Sequence, residues 1–137
     1  MKTSTADSYF SKCIRAANDY VCVKCSKQYD KSSTGLHCSH NFSRRHRTIR
    51  WCKENALPLC YSCHQWFGGE PLESGRWLEN YLGIGAVELL IEKKNTKLKI
   101  SKLEEKEISR HYREQLKVIE AKRASGETGY IEFESYQ

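Results

Sequence analysis

The sequence predicts an α+β fold stapled by one structural zinc, with added helices and a long amphipathic helix toward its C-terminal end. Three observations predict it. Cys22 with Cys25 and Cys60 with Cys63 form two C-x2-C pairs, the spacing at which two tight knuckles deliver four thiolates to one tetrahedral ion. Apolar residues recur at intervals of three and four in two segments, while two other segments read as short and extended. The chain has 137 residues with 39% apolar and 29% charged side chains, and a core that small calls for a staple.

The elements follow in order. Residues 8–20 form a helix whose apolar face is Phe10, Ile14 and Ala17, capped by Asp7 or Ser8. Cys22 to Cys25 is the first knuckle, and the polar residues 26–35 are a turn or loop. Residues 36–42 are a short strand, and the arginine-rich residues 43–51 a surface loop or short helix. Residues 57–59 run extended because Pro58 biases Leu57 away from helix. A short helix from Cys63 carries His64, Trp66 and Phe67 until Gly68 and Gly69 stop it. Residues 73–82 and 86–94 are further helices separated by Gly83 and Gly85. Residues 98–124 form a charged helix with Ile108, Tyr112, Leu116 and Ile119 along one side. That stripe packs on the domain or on a partner chain. Residues 125–137 read as a loosely ordered tail in which Tyr130, Ile131 and Phe133 are able to form a short strand.

Seven cysteines in tight pairs, with no apolar leader after Met1 and Lys2, favour metal over disulfides and a cytoplasmic setting. The longest apolar run, residues 86–91, is far short of a membrane span. A net charge of +6 suits a polyanionic partner. Arg44, Arg45, Arg47, Arg50 and Lys53 crowd one stretch, interleaved with Phe42 and Trp51, as phosphate docking requires.

That stretch lies between His40 and Asn55, and His64 directly follows Cys63. The ordered set of His40, Asn55 and His64, bracketed by the two cysteine pairs, resembles the HNH endonuclease family. Its core is the ββα-metal motif of two strands and a helix. Three phrases bring the chain nearer to the Rap (NinG) recombination endonucleases of phage lambda: FSKCIRAANDYVCVKC at 10–25, LHCSH at 36–40, and the stretch from Cys60 through WLENYLG at 77–83. The resemblance covers residues 8 to about 120 and implies a zinc-bound nuclease domain over 8–95, with a helical extension at 96–124 and the tail beyond. It implies metal-dependent hydrolysis of DNA phosphodiester bonds, with branched recombination intermediates such as Holliday junctions and D-loops as substrate. The setting implied is a phage-encoded protein in the bacterial cytoplasm.

In that reading His40 is the general base, because a neutral imidazole oriented through its other nitrogen takes a proton from water. His64 binds a magnesium or manganese ion. Asn55 either orients His40 or adds an oxygen to that ion. The commoner family pattern has an acidic ligand before the base, where this chain has Ser39. The second ligand is then Asn55, His37 or Ser39, or the ion relies on water and phosphate. Arg44 and Arg45 are nearest to the base for holding a flanking phosphate.

Duller roles compete. His37 or His40 can substitute for a zinc thiolate, His64 can cap a knuckle, and Asn55 can be a turn residue. Cys13, Cys38 and Cys52 read as buried or free thiols, Trp51, Trp66 and Trp77 as core, and His46 and His111 as surface. Two alternatives stand beside the leading one: a non-catalytic zinc module that binds nucleic acid or protein, and a sequence-specific nuclease of the homing or restriction type. Symmetric cutting of a junction requires two sites, hence a homodimer, with the long helix as its interface.

Overall fold

Ser4 starts the first helix earlier than its apolar periodicity does. Its hydroxyl accepts from the Asp7 amide at 3.1 Å, and the Asp7 carboxylate accepts from the Ser4 amide at 2.8 Å. This reciprocal capping box sets α1 at Thr5–Ala17. The computed structural model describes residues 1–136. After α1 come the antiparallel strands β1 (Leu36–His40) and β2 (Ala56–Cys60), then α2 (Tyr61–Gly69), α3 (Pro71–Leu82), α4 (Ile84–Lys94) and α5 (Lys102–Ala124). Among the described residues the fold is therefore mixed α and β, with five α-helices and one two-stranded sheet.

The ends of the elements are set by local chemistry that periodicity does not carry. The Asn41 amide donates to the Asn55 carbonyl at 2.8 Å, carrying the β1–β2 register one residue past His40 before the chain turns. Residues 43–51 form turns and no helix. Pro71 occupies the first turn of α3, where its missing N–H costs nothing. Gly83 separates α3 from α4 at φ 92°, a left-handed conformation that a side chain resists. The charged helix begins at Lys102, not at 98, because the Ser101 hydroxyl accepts from the Glu104 amide.

Two apolar clusters share the molecule. The larger joins Phe10, Cys13 and Ile14 of α1 to Ile108, Tyr112 and Ile119 of α5, and takes in Trp51, Ile131 and Phe133. Each large side chain fully buried there is worth about 1.5–3 kcal/mol. The smaller joins Leu36, Leu57, Leu59 and Leu78 around Cys22 and Cys60.

The α5 stripe is thus spent within the chain. Three of its four apolar residues are buried against α1 and the tail, which removes the reason for assigning this helix to a dimer interface. α5 also caps its partner: Arg123 donates to the Ala16 and Ala17 carbonyls at 2.9 and 3.1 Å, satisfying groups that every helix end leaves open. Residues on both sides of position 95 share the larger cluster.

As far as residue 136, the tail is neither loosely ordered nor a strand. Ile131 and Phe133 are buried, and the Ile131 amide donates to the Ala17 carbonyl at 2.9 Å. The Ser135 hydroxyl accepts from the Lys53 amide at 2.9 Å, and the Tyr136 amide donates to the Tyr112 hydroxyl at 3.0 Å. Residues 130–136 form an extended strap that ties α5 to the loop before β2. No helix among the described residues is long and apolar enough to cross a membrane.

Candidate metal centre and histidine site

The first knuckle is built by two backbone bonds. The Ser26 amide donates to the Cys22 carbonyl at 2.8 Å, the Cys22 amide donates to Lys27 at 3.0 Å, and Ser26 adopts φ 67°. The Val23 amide then donates to the Pro58 carbonyl at 3.1 Å, stitching the knuckle to β2. The second knuckle is the β2–α2 junction, with Cys60 as N-cap residue and Cys63 in the first turn.

Together they bring the thiols of Cys22, Cys25, Cys60 and Cys63 within 4.8 Å of one another. The Cys25 and Cys60 sulfurs are 3.7 Å apart. Tetrahedral zinc at about 2.3 Å from each sulfur requires edges of about 3.8 Å, so the four thiols fit a closed structural zinc site. Crowding divides their acidities. Burial pushes Cys60 up, but donors from Cys63, Cys25 and Ser62 outweigh it and bring the thiol down to about 6. Burial and the neighbouring sulfurs push Cys63 well above the thiol range. A divalent cation relieves that repulsion by displacing protons. Cys13 and Cys38, by contrast, are pushed up to about 12, chiefly by burial, and behave as inert core groups.

Alternation along β1 divides its histidines. His37 faces α2, where its Nδ1 lies 3.0 Å from Nδ1 of His64. His40 packs its ring on Phe10 of α1, with centroids 5.9 Å apart. His40 also lines a cavity of about 540 Å³ walled by Phe42, Phe67, Gly68, Leu78 and Val87, a wall that does not include His64. Gly68 lies four residues beyond His64 on the same helix face. The three histidines thus gather about α2, His37 and His64 as a pair at its start and His40 at a cavity lined by Phe67 and Gly68 of the same helix. Along β1, the three residues of extended chain from His37 to His40 span about 10 Å.

His40 Nε2 lies 3.1 Å from the Arg50 carbonyl. A carbonyl only accepts, so the proton is on Nε2, and Nδ1 keeps its lone pair. Burial lowers the pKa of His40 below the ordinary 6.5, against the opposing effect of that carbonyl, so the ring is neutral at pH 7. Ser39 is buried on the His37 side and brings no carboxylate.

Asn55 neither orients His40 directly nor has an oxygen to spare. It is 0% exposed, its Oδ1 accepts from the Phe42 amide at 2.9 Å, and its Nδ2 donates to the Phe42 and Ile49 carbonyls at 3.1 and 3.2 Å. Those bonds close the loop on both sides, and the loop in turn delivers the Arg50 carbonyl. Asn41 lines the His40 cavity. Its Nδ2 donates to the Glu54 carbonyl at 2.9 Å, and its buried Oδ1 has no partner among the described residues.

The basic stretch is largely neutralised from within. Arg50 is 5% exposed and pairs with Asp7 at 2.5 Å, and Arg44 reaches the same carboxylate at 3.3 Å. Arg47 pairs with Glu105 at 3.2 Å and Lys53 with Glu132. Arg45 is exposed and forms no ion pair among the described residues. The expected five-residue phosphate patch is thereby reduced, because four of its cations already have acidic partners.

Comparison with protein-family models, with curated proteins and with solved structures finds no match. The metal centre thus stands on its own donor geometry. Asp7, expected from sequence only to cap the first helix, is central to the basic loop. Its Oδ1 accepts from Arg50 Nε and from the Trp51 indole, both at 3.0 Å, and its Oδ2 accepts from the second Arg50 nitrogen, from Arg44 and from the Ser4 amide. Burial raises its pKa, but those donors outweigh it and hold the carboxyl below the ordinary range. The S-x-x-D spacing of Ser4 and Asp7 signals the cap, and nothing in it signals the arginines.

Proposed function

We propose that the chain is a zinc-stabilised, metal-dependent DNA endonuclease of the HNH type, in which His40 is the general base. One observation carries the reading: the Arg50 carbonyl holds the His40 proton on Nε2, which leaves a neutral ring with Nδ1 free to accept a proton from water. When that proton arrives, the carbonyl opposite stabilises the charged ring. The strand–strand–helix order from Leu36 to Gly69, closed by the four thiols, agrees with the core that the sequence resemblance implies.

The donors available for a catalytic ion are His37 and His64, which would hold it and let it neutralise charge at the scissile phosphate. Two imidazoles without a carboxylate are a nitrogen-only set that suits iron or nickel better than magnesium or manganese, so an oxygen-preferring ion held here would rely on water and phosphate for its remaining ligands. Arg45 is the exposed cation left to hold a flanking phosphate. The substrate inferred from the resemblance is branched DNA, met in the cytoplasm of a phage-infected bacterium.

Incubation of zinc-loaded protein with four-way, nicked and linear DNA, with and without manganese or magnesium, tests this. Nicking that requires the added ion and disappears in His40→Ala at unchanged zinc content is the expected result. A His40→Ala protein that cuts as fast as its parent removes the base assignment. A second reading, a zinc module that binds without cutting, is favoured by the internal pairing of Arg44, Arg47, Arg50 and Lys53. It predicts salt-sensitive binding with no cleavage by any ion.

A further inference from the structure

Asp7 lies at the start of α1, far in sequence from His40, yet three contacts connect them. The Asp7 carboxylate takes two nitrogens of Arg50 in a fork, at 3.0 and 2.5 Å. It also takes the indole of the next residue, Trp51, at 3.0 Å. The backbone between those two side chains carries the Arg50 carbonyl, and that carbonyl accepts from His40 Nε2 at 3.1 Å. On the other side the Trp51 carbonyl accepts from the Tyr112 hydroxyl. Residues 50 and 51 are thus clamped through both side chains and through the next carbonyl.

We propose that Asp7 is a positioning residue for His40: by fixing Arg50 and Trp51 it sets the Arg50 carbonyl, and with it the ring nitrogen that carries the proton. The buried charges leave little freedom to this arrangement. With Asp7 neutralised, the Arg50 guanidinium is left nearly solvent-free without its counter-ion, and a charge in that state moves toward water. Its departure withdraws the carbonyl, and His40 then redistributes its proton between Nδ1 and Nε2. Arg50, expected from sequence to touch DNA, acts here through its backbone, with its side chain facing inward.

The catalytic consequence rests on the base role proposed above, whereas the coupling of Asp7 to the His40 tautomer does not. Nitrogen-15 NMR of the zinc-loaded full chain reads that tautomer directly at neutral pH. In the parent, the proton is expected on Nε2 of His40; finding it on Nδ1 overturns the proposal with no variant needed. In Asp7→Asn, the Nε2–H to Nδ1–H ratio is expected to fall about five- to tenfold, the loss of one ordinary hydrogen bond. A folded Asp7→Asn protein with the parent's ratio also overturns it. Should that variant not fold, Arg50→Lys keeps the charge, loses the fork and is expected to shift the ratio in the same direction, with a parent-like ratio counting against the proposal. Phe133→Ala, which destabilises the same core from the tail, is expected to leave the tautomer alone. A parent that shows the Nε2 proton but never cuts DNA defeats the nuclease reading and leaves this coupling intact.

Discussion

The Nδ1 atoms of His37 on β1 and His64 on α2 face each other across 3.0 Å. Two lone-pair-bearing nitrogens that close either share a proton or share a cation. The arrangement is produced by strand alternation on one side and by the Cys60–Cys63 knuckle on the other, because the knuckle starts α2 and so aims position 64 at the sheet.

Losing either ring should therefore remove the borderline-metal site without touching the zinc. His37→Ala and His64→Ala are each expected to lower manganese-dependent nicking by about 10–100-fold, the usual effect of weakening a metal shell. Zinc content, read by atomic absorption, should stay at one equivalent. Undiminished nicking in both variants would place the ion elsewhere.

Chelation should disassemble the smaller cluster. Cys22→Ser and Cys60→Ser are expected to lose the zinc and, with it, amide protection in β2 and the start of α2, since metal binding in such sites is coupled to folding. Cys13→Ser and Cys52→Ser should keep one zinc. Hydrogen exchange with and without chelator separates the cases; equal protection in the two states would show that the knuckles fold without metal.

The pH profile of nicking should report His40. Its pKa is lowered by burial, so the ring stays neutral to more acidic pH than a free histidine. The midpoint of the acid limb is expected below the ordinary histidine value of about 6.5. Protonation occupies Nδ1, which is why the acid limb descends. A midpoint above that value, with zinc retained, would point to another base.

Arg45 and Arg50 should behave oppositely although both are arginines of one loop. Arg45→Ala is expected to weaken DNA binding at every sequence tested and to reduce the salt slope by about 1. Arg50→Ala is expected to cost about 3–5 kcal/mol of stability by removing the buried fork on Asp7 and leaving its carboxylate to the more exposed Arg44. Denaturant titrations alongside binding curves distinguish the two effects. A stable Arg50→Ala protein with a reduced salt slope would reverse the assignment.

The tail should carry stability. Phe133→Ala is expected to cost about 3–5 kcal/mol, as for other buried aromatics. An unchanged denaturation midpoint would mean that the strap contributes nothing to the core.

The sequence by itself determined what depends on short spacing. Two C-x2-C pairs prescribe a four-thiolate cluster because a knuckle is a local turn, and the α1 and α5 stripes follow from helical period alone. Which surface each stripe would cover was not in it: the α5 stripe fits a partner chain as well as it fits α1, and only the fold puts Phe10 against Tyr112. Only the tertiary structure decided the fate of the arginines. A guanidinium's role depends on whether a carboxylate lies within about 3 Å, and Asp7 reaches Arg50 across 43 residues of chain. The same holds for Asn55, whose amide looks free on paper and is consumed by Phe42 and Ile49, and for His37, which the fold sets 3.0 Å from His64. Charge pairing and facing are properties of distances in space, and a linear pattern carries only distances along the chain.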